Sequence, residues 1–120
     1  MSLRFRSEAL QAPLVGPGPT FTRTYASGTD TVVPAVAGQK IGIYRLVLQG
    51  VAITTFQFID SIAGPNLPLS GTYALSAGGL FILDTPINMD PWWQTQSGAA
   101  LQMIVGAGAI VADLWYLQTP

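Results

Sequence analysis

The chain has 120 residues, of which 49% are hydrophobic and only 9% charged, with 13 Gly, 9 Pro, no Cys, no His and a formal net charge of -1. Soluble domains carry about 25% charged residues, so hydrated side chains alone cannot cover this surface, and the surplus apolar area is expected to be buried against further copies of the chain or a larger assembly. The near-neutral balance offers no clustered Lys and Arg for nucleic acid or an anionic membrane. The missing Cys and His remove disulfides, the commonest metal ligands, the thiol nucleophile and the usual base near neutral pH.

This length fits one domain with a single core. Residues 1–20 read as an arm. Pro13, Pro17 and Pro19, with Gly16 and Gly18, exclude helix and sheet pairing and favour an extended course. The opening Met-Ser-Leu-Arg-Phe-Arg lacks the apolar run of a secretory signal. Its apolar side chains exceed what a solvated linker needs, so Arg4, Phe5, Arg6, Leu10 and Leu14 are expected to touch a neighbouring subunit or partner. A mobile terminus is the plain alternative.

Residues 21–120 read as a domain of short β segments between turns. Phe21 to Tyr25 reads as an edge strand and Ser27 to Asp30 as a turn; Thr31 to Val36 is extended but limited by Pro34, and Ala37 to Gln39 turns again. Lys40 to Leu48 alternates Ile41, Ile43, Arg45 and Val47 against Tyr44, Leu46 and Leu48, so both faces are largely apolar. The run from Val51 to Ile59 is expected to pair with it as a central hairpin. Asp60 to Leu69 reads as a loop, with short strands at Gly71 to Leu75 and Leu80 to Leu83, and mostly irregular chain from Asp84 to Gly98.

Ala99 to Leu117 is long enough to be weighed as a membrane span, but Gln102, Asp113 and its glycines argue against one. Two strands joined at a Gly106-Ala107-Gly108 turn are predicted instead. No window carries a capped helical stripe. The expected fold is therefore all-β, an antiparallel β-sandwich or jelly roll of about eight strands. Apolar residues on both faces of a strand imply a subunit interface.

Chemistry-bearing patterns are sparse. Asp90-Pro91-Trp92-Trp93 places two indoles on a loop, and three roles are open. One ring fills the core rim while the other is exposed, or the pair meets another subunit, or it stacks on a sugar. Asp84 and Asp90, with Asn88 between, are too few for a hard cation and suit loop closure better, so no metal is expected. Ala77-Gly78-Gly79 and Gly106-Ala107-Gly108 neither open a helix nor sit near a Lys, so they are not phosphate loops. Ser70 and Ser97 have no base beside them, and neither catalysis nor a cofactor is expected.

Several pieces together resemble a family. They are Ala37 to Ile41, Tyr44 to Leu48, the Thr-Phe strand, Pro68 to Gly71, Leu75 with Ala77-Gly78-Gly79, Pro91 to Thr95 and Gly98 to Leu101. The text resembles small virion proteins of tailed bacteriophages over about two-thirds of the chain, through turn and strand-edge signals only. The resemblance implies a trimeric jelly-roll or β-sandwich protein on the virion, most like a capsid decoration (cement) protein. Its implied partners are itself, as a homotrimer, and the major capsid protein, with no nucleic acid and no membrane. It would be made in the host cytoplasm and carried on the capsid surface. The rival reading is a carbohydrate-binding or receptor-binding module of a phage tail fibre, with Trp92 and Trp93 as stacking platforms.

Overall fold

Prolines at 17 and 19 cannot donate to a ladder, and the first strand begins one residue later, in Thr- and Tyr-rich text. The computed structural model describes residues 20–61, 67–85 and 89–120. They are all-β: β1 (Thr20–Val33), β2 (Lys40–Gly50), β3 (Thr54–Asp60), β4 (Leu67–Pro68), β5 (Tyr73–Leu75), β6 (Leu80–Asp84), β7 (Trp93–Gln94) and β8 (Leu101–Thr119). Every pairing is antiparallel.

The 19-residue β8 is the spine. Along one side it pairs with the whole of β1; along the other, its first half takes β3 and its second half β2. The two wings then extend outward, β2 carrying β6 and β7, and β3 carrying β4 and β5. Across the inner face the wings meet through aromatic rings. Tyr73 and Phe81 lie 4.9 Å apart, Phe56 and Phe81 5.0 Å, and Phe58 and Trp93 5.5 Å. The sheet is thereby curled into a nearly closed, barrel-like form.

Four local expectations are corrected. Gly106 to Gly108 does not reverse the chain: β8 runs through it, and β8 advances from Val105 to Ala109 while β1 advances only from Ala26 to Gly28. Gly28 and Gly108 both sit at positive φ, which a bulge needs and a bulkier residue resists. Facing glycine-bearing bulges kink the β1–β8 ribbon without ending it, so the expected turn at Ser27 to Asp30 is likewise strand. The central hairpin is also absent, because β2 and β3 pair with different halves of β8. After Gly50, the chain crosses over the kink, where the Val51 amide donates to the Ala109 carbonyl at 2.9 Å.

The fourth correction concerns the two apolar faces of β2. Its register against β8 steps from Ile43–Tyr116 directly to Arg45–Trp115, leaving Tyr44 as the extra residue of a bulge. The inward set is therefore Ile41 and Ile43 before the bulge and Leu46 and Leu48 after it, all fully buried, while Arg45 and Gln49 are exposed. One core face, not two, absorbs most of the apolar text of this strand. The core is completed by Phe56 and Phe58 of β3, Leu101 and Met103 of β8, and Ile110 and Leu114 beyond the kink.

Tyr25 of β1 is 1% exposed, and its hydroxyl has no hydrogen-bond partner of adequate geometry among the described residues. Burial raises its pKa above the usual 10.0, and the Arg23 guanidinium, 4.8 Å from the ring centre, offsets part of that rise. A raised phenol pKa leaves stability intact below about pH 10 and erodes it as pH climbs toward the folded value, because the unfolded chain ionises first. Tyr25→Phe is expected to match or exceed the parent at pH 7 by about 1 kcal/mol and to lose less stability between pH 7 and pH 11. Urea melts at the two pH values read both effects.

Candidate interaction surface

Among the described residues the exposed large apolar side chains include Val51 and Ile53 between β2 and β3, Trp92 before β7, and Leu80 and Ile82, which share one face of β6. β6 follows the turn at Ala77 and Gly78, where Gly50 accepts from the Gly78 amide and donates to the Gly79 carbonyl. At the far end of the strand the Thr85 amide donates to the Tyr44 carbonyl. Because backbone groups alternate sides along a strand, these anchors orient Phe81 and Leu83 toward β2. The N–H and C=O groups of Leu80, Ile82 and Asp84 then point to the open edge, and β6 has no partner there among the described residues.

Side chains alternate as well. Phe81 and Leu83 lie half-buried against the core, whereas Leu80 is 59% and Ile82 57% exposed. The registers of β6, β2 and β8 set three outer rows: Leu80–Gln49–Val111, Ile82–Val47–Asp113 and Asp84–Arg45–Trp115. Val47, Val111 and Trp115 are part-exposed, so they extend the apolar strip inward from the edge. The Arg45 guanidinium stacks on Trp115 at 4.6 Å, a cation–π contact.

A flat apolar edge strand is an invitation to strand addition. The other long edge, the side of β1 with no partner among the described residues, is defended: the Gly28 bulge interrupts it, and Arg23 and Asp30 stand along it. β6 carries neither device until Asp84.

The two indoles part company. Trp93, in β7, packs on the core beside Phe58, while Trp92 on the preceding bend is 48% exposed. Their loop is pinned from both sides. The Trp92 amide donates to the Ile43 carbonyl at 2.8 Å, and the Ile41 amide donates to Thr95 Oγ1 at 2.9 Å. Buried Asp60 accepts from the Gln96 amide at 2.9 Å. That carboxylate thus closes a loop, a role the sequence assigned to Asp84 and Asp90. The latter two are exposed, and Asn88 lies outside the described residues. No group of three potential metal ligands occurs among the described residues. No helix there is long and apolar enough to cross a membrane.

The arm positions Arg4, Phe5, Arg6, Leu10 and Leu14 lie outside the described residues. Leu80 and Ile82 were not singled out from sequence as a surface, although the signal was present. Leu80-Phe81-Ile82-Leu83 is an uncharged apolar run after two glycines, too short to bury both faces in a wing this narrow. The chain matches no protein-family model, and no curated protein matches it significantly.

Proposed function

We propose that this protein acts by assembly, as a structural protein whose copies bind one another and a larger repeating surface, and not as an enzyme. More particularly, it is read as a capsid decoration (cement) protein of a tailed bacteriophage. In that reading a homotrimer sits on the major capsid protein at the virion surface, and the curled sheet is the jelly-roll-like sandwich of such proteins. The observation that carries the reading is the Leu80 and Ile82 strip on an undefended sheet edge, a surface that a monomer would be under pressure to cover or charge. The low overall charge and the family resemblance of the strand and turn text point the same way. A protein that binds only the closed shell stabilises that shell by mass action.

The test compares purified virions produced with and without this chain, using a dye that reports DNA release on heating. The chain is expected on particles by immunoblot, and particles lacking it should open at lower temperature. Equal opening temperatures, or particles that never carry the chain, would refute the role. Exposed Trp92 favours a second reading, the glycan-binding tail-fibre module; a glycan-array signal lost in Trp92→Ala would replace the first.

A further inference from the structure

We infer that the corner at the β8 kink, carrying Val51 and Ile53, is the hub of the assembly: it lies on the three-fold axis and meets the same corner of two further copies of this chain. The corner forms where β1 and β8 bulge together. Val51 continues the register of β2, its amide donating to the carbonyl of Ala109, which pairs in turn with Ala26. Past Val51 the chain lies directly on the kink. A Cβ at Gly108 would come within 3.2 Å of Ala52 Cβ and of the Ile53 carbonyl, and one at Gly106 would collide with Thr55 Oγ1. The crossing is too close to β8 for a large side chain to fit beneath it, so Val51 and Ile53 project outward, 58% and 77% exposed.

The surroundings of these two side chains decide what can cover them. The stretches that pair with or bond to the corner are residues 24–29, 50–57, 73–79 and 104–110, and they hold no charged residue. Other exposed apolar positions differ. Leu80 and Ile82 share their face with Asp84, Arg45 and Asp113, and Trp92 follows Asp90 closely. On a rotation axis every side chain meets its own copies, so a charge there would meet a like charge and oppose binding. A charge-free aliphatic corner is what such an axis can hold, whereas the β6 strip, with charges of both signs beside it, suits a contact between unlike surfaces.

The size of the corner argues for further copies of the chain as its occupant. Two aliphatic side chains are too little for a separate macromolecular partner, since a stable contact buries about 800 Å² on each side. They suffice as a hub when flanking surface supplies the rest, and that surface is continuous with them: Gly50, next to Val51, bonds to Gly79, next to Leu80. A corner built to enter lipid would carry basic residues around its apolar tip, and the stretches that surround this one have none. This inference rests on the homotrimer reading for the order of the axis.

The chain has no native cysteine, so Ile53→Cys places one thiol on each protomer. Ile53 is the most exposed large apolar side chain among the described residues, and its substitution spares the core. Ala52→Cys, also at an exposed position, is a second variant that leaves both aliphatic side chains in place. Val36→Cys, at the other end of β2 and likewise exposed, is the control. Treated at micromolar concentration with a short trifunctional maleimide, the two corner variants should give covalent trimers on denaturing gels, about tenfold above the control, since thiols gathered on an axis react at a raised effective concentration. Yields equal to the control, or covalent dimers without trimers, would overturn the inference. Binding of the parent to phosphatidylcholine vesicles, lost in Ile53→Ser, would give the corner to lipid and overturn it as well. Sedimentation of the unmodified chain separates the two readings. A trimer whose corner variants do not cross-link refutes the placement of the axis alone, whereas a single protomer refutes the homotrimer itself.

Discussion

Phe56→Ala is expected to destabilise the fold by about 3–5 kcal/mol, the largest loss of any single truncation. Phe56 is fully buried in β3 and meets three rings from separate elements. Phe58 is in its own strand at 6.1 Å, Tyr73 of β5 lies at 5.4 Å, and Phe81 of β6 at 5.0 Å. Since β3 and β6 belong to different wings and share no backbone pairing, these rings are what draws the curled sheet together. Truncation therefore removes buried area, leaves a cavity and forfeits edge-to-face contacts worth about 0.5–1.5 kcal/mol each. Urea denaturation provides the number. A cost below about 1 kcal/mol, ordinary for a surface position, would mean that the wings do not meet at this ring.

Paired substitution of Leu80 and Ile82 by Asp should have the largest effect on association and almost none on folding. Both side chains point away from the core, so stability of the protomer should change by less than about 0.5 kcal/mol, as at surface sites generally. Charges placed on an edge strand repel an incoming strand and are a natural means of keeping edges apart. The variant should elute as a monomer by light scattering under conditions where the parent is multimeric, with superimposable far-ultraviolet circular dichroism spectra. A multimer of unchanged mass would remove β6 from the interface.

Much of the strand text was legible. Phe56 and Phe58 were placed on one face of a strand, and Ile110, Ala112 and Leu114 on one face of another, and they line the core together. What failed was pairing. A hairpin between β2 and β3 was expected because neighbours in sequence usually pair. The length of β8, which holds two strands end to end, was hidden behind a Gly-Ala-Gly that has the composition of a turn. Glycines at positive φ serve bulges and turns alike, so composition could not separate them.

The bulge at Tyr44 had a deeper consequence. Period-two counting through Lys40 to Leu48 runs across the point where the parity changes, and so it assigns Ile41 and Ile43 to the face opposite Leu46 and Leu48. The structure returns all four to one side. The second apolar face expected of β2 is therefore not there; exposed apolar side chains are found instead at other places, Leu80 and Ile82 on the outer side of β6 among them. The Trp pair was legible only as a set of alternatives. Sequence could not say which ring faces Phe58, because that depends on how the Thr95 and Gln96 loop is tied to Ile41 and Asp60.

The measurement closest to the centre of the account is the solution mass of the unmodified chain by sedimentation velocity across micromolar concentrations. A species of three protomers, each of 12.7 kDa, is the predicted result. A folded protein that sediments as a single protomer throughout that range would contradict it.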